Sequence, residues 1–219
     1  MRAALESLLR ERKLDVTLTS NAPSTAVPPD RLAPTGDADL DGALGGGLRR
    51  GHLSEVVGAA SSGRTTIALS ALAAATVRGE VTAVVDVCDT FDPQSAEAHG
   101  VDLTRVLWVR DTGDPVRALK AFSLVLQAGN FGLVVFDLAD VPPPMVRRFP
   151  FTTWMRAART IEGSDTVALI VAQDRTARSP LGVTVSLTTS PARWVGGAAP
   201  RARLFAGVAP CPRIMRARM

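Results

Sequence analysis

The segment GAASSGRT, from Gly58 to Thr65, has the spacing of a phosphate-binding loop, G-x-x-x-x-G-K-[ST], except that Arg64 stands at the lysine position. In such a loop, backbone N–H groups and the start of the following helix form an anion site. The usual lysine acts as a compact charge, whereas arginine carries a wider planar group and is not equivalent to it. Two interpretations of Arg64 stay open, a phosphate contact or an ion pair with a carboxylate such as Asp86 or Asp137, and we favour the ion pair.

Two further oxygen-bearing side chains stand where a nucleotide site needs metal ligands. Thr65 follows Arg64 and is placed to bind Mg²⁺. Asp137 closes the apolar run GLVVFD (132–137) and fits the carboxylate that holds the metal from a neighbouring strand. The apolar run HLSEVVG (52–58) leads into the loop and an alanine-rich segment follows it, which is the strand–loop–helix context that the motif requires.

The elements that position these residues alternate between apolar runs and helical patterns. This alternation favours parallel strands joined by helices with right-handed crossovers, so we predict an α/β fold with a mainly parallel β-sheet flanked by helices. The predicted strands are 52–58, 81–87, 105–110, 132–137 and 166–173, and the predicted helices are 65–79, 114–129 and 151–163. The runs 183–190 and 202–207 are predicted as further strands with the spacing of an antiparallel hairpin.

The two ends of the chain differ from this core in composition. Residues 1–14 carry an apolar helical face that includes Leu5, Leu8 and Leu9, whereas NAPSTAVPPDRLAP (21–34) is proline-rich and is predicted to be irregular. We therefore divide the chain into an N-terminal helical segment (1–20), a proline-rich linker (21–34), a core (35–208) and a basic C-terminal tail (209–219).

Charge is distributed unevenly along the 219 residues, whose formal net charge is +4. No acidic residue follows Asp174, while arginines continue to the end. Such a segment binds nucleic acid or an acidic partner, although the use of arginine in place of lysine throughout the chain is also consistent with genome composition. The candidate DNA- or partner-binding residues are Arg193, Trp194, Arg201, Arg203, Arg213, Arg216 and Arg218.

The cysteine content and the hydropathy of the chain indicate the cellular compartment in which the protein resides. Cys88 and Cys211 provide neither a disulfide framework nor a zinc spacing, and no apolar run approaches the roughly 20 residues that span a bilayer. We predict a cytoplasmic protein without membrane contact.

The segment LAPTGDADLDGALGGGLRRGHLSEVVG (32–58) resembles the region that leads into the P-loop of the bacterial recombinase RecA. The resemblance continues through AVVDVCDTFDP (83–93), LVVFD (133–137) and LIVAQ (169–173), covers roughly 35–190, and implies a RecA-like P-loop core. The residues that match the leading segment are Thr35, Gly36, Leu40, Asp41, Ala43, Leu44, Gly45, Gly51, Glu55 and Gly58.

The departures from RecA fall where that family handles ATP. Cys88 stands at the position of the catalytic glutamate, and Ser95 at that of the tyrosine that stacks on adenine, whereas Gln173 matches the glutamine that senses the γ-phosphate. We therefore predict a degenerate site with no catalytic residue, no metal site and no expected cofactor, ATP with Mg²⁺ being the alternative. The candidate nucleotide-binding residues are Gly58, Ser61, Ser62, Gly63, Arg64, Thr65, Thr66, Asp137 and Gln173.

A RecA core of this size with an altered site and a basic end resembles the ImuA family of RecA-like accessory proteins in bacterial damage-induced mutasomes. This implies a scaffold role in translesion DNA synthesis during the SOS response. The implied partners are an ImuB-type polymerase-like protein, an error-prone C-family polymerase and RecA, with only weak or indirect DNA contact. The alternatives are a DNA-stimulated ATPase that recruits a carboxylate such as Asp89, and a DNA-binding recombination mediator that uses the arginine-rich end.

Overall fold

The computed structural model describes residues 27–177, 182–188, 192–197, 199–208 and 210–215. The predicted N-terminal helical segment and the candidate residues Arg216 and Arg218 lie outside this range. The strands are β1 Leu32–Ala33, β2 Leu48–Arg49, β3 Leu53–Gly58, β4 Thr82–Asp86, β5 Val106–Arg110, β6 Leu133–Asp137, β7 Val167–Ala172, β8 Thr184–Thr188, β9 Ala192–Gly196, β10 Arg203–Val208 and β11 Cys211–Met215. The α-helices are α1 Ala38–Leu44, α2 Arg64–Val77, α3 Pro93–Ala98, α4 Pro115–Ala128, α5 Pro143–Val146 and α6 Phe151–Ile161.

Seven strands form one sheet in the order β11-β8-β3-β7-β6-β4-β5. Every neighbouring pair is parallel except β11 with β8, which is antiparallel. The predicted α/β fold with a mainly parallel sheet flanked by helices is confirmed. Its central strands are almost wholly buried and mostly apolar, which is typical of parallel sheets that are covered on both faces.

Two apolar clusters fill the space between the sheet and its helices. On one face, α4 and α6 pack through Phe122 and Trp154, and Phe122 stacks on Phe136 of β6 with ring centroids 4.7 Å apart. On the other face, α2 packs through Ile67 and Leu72. Because α2 begins at the loop after β3, the loop lies where the carboxyl ends of the parallel strands meet.

Three sequence expectations differ from the structure. Part of the proline-rich linker is regular, since Pro29–Arg31 forms a 3-10 turn and β1 pairs with β2. The runs 183–190 and 202–207 are not partners, because β8 lies in the main sheet beside β3 while β10 pairs with β9 in a separate hairpin. Cys211–Met215, assigned from the sequence to the basic tail, is the edge strand β11.

Helices of the described residues are too short or too polar to cross a membrane.

Replacement of Trp154 by alanine tests the packing on the α4–α6 face. Trp154 is 2% exposed and contacts the rings of Phe136 and Phe149. We expect Trp154→Ala to lower the free energy of unfolding by about 3–5 kcal/mol, because it leaves a cavity in the core. Urea denaturation followed by circular dichroism measures the change.

The matched control is Trp194→Ala. Trp194 is 56% exposed and contacts Phe205 within the separate hairpin. We expect a loss of less than about 1 kcal/mol for this variant. Equal losses for the two variants would contradict the placement of Trp154 in the core.

Candidate nucleotide site

The loop between β3 and α2 has the backbone that its sequence motif predicts. Ser61 and Gly63 have positive φ angles of 60° and 92°. A Cβ atom on Gly58 would lie 2.5 Å from Ser62 Oγ and 2.7 Å from the carbonyl oxygen of Leu187, so only glycine fits there. The loop brings together seven of the nine predicted nucleotide-binding residues, and Asp137 and Gln173 lie at the ends of the nearby strands β6 and β7.

Arg64 does not form the ion pair that we favoured from the sequence. Its side chain is buried, and Nη1 donates a hydrogen bond to the carbonyl oxygen of Ala139 at 3.3 Å. No carboxylate lies within 4.0 Å of it among the described residues. Burial lowers the pKa of Arg64, and the nearby charges of Asp137 and Asp140 oppose this shift. The positive charge of Arg64 is therefore offset by the nearby carboxylates of Asp137 and Asp140, which do not contact it. Its guanidinium is held in place by the hydrogen bond to the backbone carbonyl.

The carbonyl oxygen of Ala139 has a second donor. Gln173 Nε2, at the end of β7, donates to it at 3.1 Å. One backbone oxygen thus joins the first residue of α2, the segment after β6 and the residue after β7. The glutamine that by resemblance senses a phosphate is here occupied by an internal hydrogen bond.

Asp137 is the carboxylate nearest to this cluster. Its Oδ1 accepts a hydrogen bond from the Ala139 N–H at 2.9 Å. Burial raises the pKa of Asp137 to about 6, with Asp86 and Asp140 adding to the shift and the Ala139 N–H and Arg64 opposing it. Asp86 pairs with Asp137 in the β4–β6 register, which explains why their charges disfavour each other.

Asp86 shapes the turn after β4 and has no free oxygen for catalysis. It is fully buried and accepts hydrogen bonds from Thr90 N at 3.0 Å, Phe91 N at 2.8 Å and Trp108 Nε1 at 3.3 Å. Cys88 follows on this turn, and burial together with the surrounding aspartates raises the pKa of its thiol. A neutral thiol does not deprotonate water, so the position matched to the catalytic glutamate offers no general base.

Asp89 is the carboxylate that the ATPase alternative requires, and it is already bound. Both of its oxygens accept hydrogen bonds from Arg110 at 2.7 Å, and the Arg110 guanidinium holds the pKa of Asp89 below its usual range. Arg110 also lies over the Trp108 ring at 4.5 Å. Ser95, at the adenine-stacking position, donates to Asp92 in the N-terminal cap of α3.

Glu55 is a buried residue that the sequence analysis matched without assigning it a role, and the structure shows what it contacts. Its side chain is 2% exposed and accepts hydrogen bonds from Thr176 N at 2.9 Å, Ala177 N at 3.0 Å and Thr184 Oγ1 at 2.6 Å. The sequence did contain a sign of these contacts, because an ionisable residue inside an apolar strand is expected to have a hydrogen-bond or ion-pair partner. Glu55 fixes the backbone after Gln173.

The arginine-rich end forms a hairpin. In β9 and β10, Trp194 contacts Phe205 edge to face at 5.7 Å, and both rings are more than half exposed. Arg193, Arg201 and Arg203 are exposed on this hairpin and Arg213 on β11. Pro210, directly before β11, lies against the loop, since its Cγ would be 2.9 Å from a Cβ atom on Gly63.

The donor set fits bound ATP–Mg²⁺ poorly. The loop backbone, Thr65 and Asp137 are present, but Arg64 is committed to Ala139, Gln173 to the same oxygen, and Asp89 to Arg110. The part of the chain that the structure describes contains no group of three His, Cys, Asp or Glu residues that could hold a metal ion.

Comparison with known proteins places the fold in a family. A family model described as RecA N-terminal domain matches residues 24–145. Protein RecA of Kineococcus radiotolerans is 40% identical over 112 residues, which are 50% of this chain and 32% of that protein. Protein RecA of Salinispora tropica is 43% identical over 108 residues, 48% of this chain and 30% of that protein. The chain thus spans about a third of the length of these relatives.

A solved structure extends the likeness in fold. The crystal structure of the RadB recombinase superposes with a TM-score of 0.56 and 19% identity, covering 80% of this chain and 90% of that one. At this identity the comparison shows a RecA-type and RadB-type α/β fold. The family match ends before Gln173 and the hairpin, so their roles rest on geometry alone.

The raised pKa of Asp137 predicts a stabilising substitution. Ionisation of Asp137 is disfavoured in the folded state, so stability falls as the pH rises from about 4 to about 6 and stays lower above that range. Asparagine keeps the oxygen that accepts the Ala139 N–H and removes the charge. We expect Asp137→Asn to raise the free energy of unfolding by about 1–2 kcal/mol at pH 8, less than the full shift implies because the carboxyl keeps some contact with solvent.

The control is Asp111→Asn, whose effect should have the opposite sign. Hydrogen bonds from Arg117 lower the pKa of Asp111 to about 2, so its contribution is present above about pH 4 and is lost as the pH falls towards 2. We therefore expect Asp111→Asn to destabilise the protein at neutral pH. Urea denaturation across the pH range measures both variants, and destabilisation by Asp137→Asn at pH 8 would refute the assignment.

Proposed function

Because the chain belongs to the RecA N-terminal domain family, we propose that it is a non-recombinase accessory protein of DNA repair. It acts as a scaffold in error-prone translesion DNA synthesis during the SOS response and binds a Y-family polymerase-like partner and RecA. The observation that carries this proposal is the buried Arg64, bound to the Ala139 carbonyl where an ATPase of this fold needs a free cation.

The chemistry of the site argues against nucleotide hydrolysis. Hydrolysis of a phosphoanhydride needs a group that orients and deprotonates water, and a cation that stabilises charge on the transferred phosphoryl group. Cys88 is a thiol whose pKa is raised, and the guanidinium of Arg64 donates a hydrogen bond to the carbonyl oxygen of Ala139. Since the site has neither a group that deprotonates water nor a free cation, we infer that the fold serves to present surfaces to partner proteins.

A DNA-stimulated ATPase is the second candidate, and the intact loop favours it. The loop has the glycine at Gly58 and the left-handed backbone at Gly63 that phosphate binding uses, and Asp137 stands at the metal-ligand position. This function requires Arg64 and Gln173 to leave Ala139, and Asp89 to leave Arg110. Each of these three rearrangements breaks a hydrogen bond that the structure contains.

Nucleotide turnover separates the two candidates. We expect the wild-type protein to show no ATP hydrolysis above the rate of Asp137→Ala, with or without single-stranded DNA, because Cys88 provides no base. Arg64→Lys should raise affinity for a fluorescent ATP analogue without producing turnover, since lysine loses the planar contact to Ala139 and frees a compact cation.

Arg148→Lys is the matched control, because Arg148 is exposed and lies outside the loop. It should leave nucleotide affinity unchanged. Wild-type turnover that DNA stimulates and that Asp137→Ala abolishes would reject the scaffold proposal and establish the ATPase.

The hairpin favours DNA contact as a supporting activity. It combines two exposed aromatic rings with exposed arginines, and such a surface binds single-stranded nucleic acid by stacking and charge. We expect affinity for a labelled oligothymidylate to fall steeply with salt through counterion release. Trp194→Ala should weaken binding about 5- to 100-fold, as expected for the loss of one stacked base.

Fluorescence anisotropy over a salt series measures this binding. Leu124→Ala, an exposed apolar residue on α4, is the control and should have no effect. Point variants are needed because removal of 201–219 would also remove β11 from the main sheet. Equal binding by Trp194→Ala and the wild type would exclude the hairpin as a DNA contact.

A further inference from the structure

The β9–β10 hairpin carries large apolar side chains on both of its faces. Trp194 pairs with Phe205, and Val195 pairs with Leu204. Directly paired residues share a face of a hairpin, whereas consecutive residues of a strand point to opposite faces. The hairpin therefore has an aromatic face, with Trp194 and Phe205, and an aliphatic face, with Val195 and Leu204. The edge-to-face contact between the two rings confirms that they lie on the same face.

The aliphatic face is open to solvent. Val195 is 55% exposed and Leu204 is 71% exposed. In the part of the chain that the structure describes, β9 and β10 pair only with each other. An antiparallel pair that faces water usually has polar side chains on its solvated face, and a lone two-stranded hairpin is only marginally stable in water. Contact with another molecule would bury the aliphatic pair and stabilise the hairpin.

The aliphatic face carries a positive charge that the hairpin does not balance. Arg193 lies two residues before Val195 in β9, so it belongs to the same face. Its side chain is exposed and has no hydrogen bond or ion pair among the described residues. No acidic residue follows Asp174 in the sequence, so neither the two strands nor the turn between them contains a carboxylate.

Nucleic acid suits the aromatic face better than the aliphatic one. Single strands bind by stacking their bases on rings, and valine and leucine offer no ring. Arg203 lies two residues before Phe205, so a phosphate contact is available on the aromatic face. Aliphatic side chains gain free energy by leaving water for other apolar groups, which the surface of a protein supplies.

A second copy of this chain has the wrong charge for a symmetric contact. In a two-fold contact, both copies use the same patch, so the two Arg193 side chains would meet at an interface without carboxylates. Like charges brought together at an interface oppose association. A protein surface with carboxylates beside an apolar patch complements both the charge and the aliphatic pair.

We propose that the aliphatic face of the hairpin binds a partner protein whose contact surface combines apolar side chains with carboxylates, one of which pairs with Arg193. The aromatic face stays open to single-stranded DNA in this complex, so the hairpin holds the partner and the DNA on opposite sides. This inference rests on the proposed scaffold function, because it names the surface through which the scaffold joins a partner protein to DNA.

Selection of random displayed peptides on the full chain tests the proposal. Peptides that also bind Leu204→Thr are removed, and threonine is chosen because it is polar and favours strands. We expect the remaining peptides to combine apolar with acidic residues. A labelled synthetic peptide of this kind should bind Val195→Thr at least about tenfold more weakly, as for a central residue of an interface. Leu124→Thr is the matched control, because Leu124 is 65% exposed on α4 and should leave affinity unchanged.

Charge reversal and DNA binding give readouts that a folding defect would not reproduce. Arg193→Glu should weaken the acidic peptide, and a peptide with lysine in place of its acidic residues should regain affinity for this variant. Val195→Thr and Leu204→Thr should bind oligothymidylate as the wild type does, because the aromatic face is unchanged. The wild-type protein saturated with peptide should still bind oligothymidylate.

Several results would overturn the proposal: no Leu204-dependent peptide, enriched peptides without acidic residues, loss of oligothymidylate binding in Leu204→Thr, or displacement of the peptide by oligothymidylate. Displacement of the peptide by phosphatidylglycerol vesicles, or self-association that Leu204→Thr abolishes, would also overturn it, since the aliphatic face would then belong to a lipid surface or to a second copy. ATP turnover, measured separately, would contradict the scaffold function without changing the peptide results.

Discussion

The carbonyl oxygen of Ala139 is the point on which the arrangement of this site depends. It accepts hydrogen bonds from Arg64 and Gln173, at 3.3 Å and 3.1 Å. A guanidinium can reach this oxygen while remaining buried because its charge is delocalised and weakly hydrated. The nearby carboxylates Asp137 and Asp140 oppose the cost of burial without contacting it. A compact ammonium at the same place would be more strongly hydrated, so a lysine at position 64 would be less suited to this buried contact than the arginine.

This contact has consequences for the neighbouring strand. Gln173 begins the segment after β7, and Glu55 fixes the next turn of that segment through two backbone N–H groups. In a protein that responds to nucleotide, such a segment must have two arrangements with different affinity for the ligand. Here the segment is held at both ends by contacts internal to the chain.

The sequence predicted the sheet and the loop because these depend on local patterns. Runs such as TAVVD and VALIVA are mostly or wholly apolar, and GAASSGRT directly follows the strand-like run HLSEVV. The partners of Arg64 were not predictable in this way, because Ala139 lies 75 residues away and offers a backbone atom that no side-chain pattern reveals. The β11 strand was missed because its burial alternates at the sheet edge and its arginines favoured a solvated tail. The resemblance to RecA identified Cys88 and Ser95 as departures, whereas only the structure showed Asp89 bound to Arg110.

The glycines of the loop do not by themselves argue for a nucleotide. A side chain at Gly58 would collide with Ser62 and the Leu187 carbonyl, and one at Gly63 would collide with Pro210. Both glycines are therefore required by packing against β8 and the segment before β11, whether or not phosphate binds. The contact between Gly63 and Pro210 brings the segment before β11 against the loop, so packing in this region connects β3 and α2 with the edge strand of the sheet.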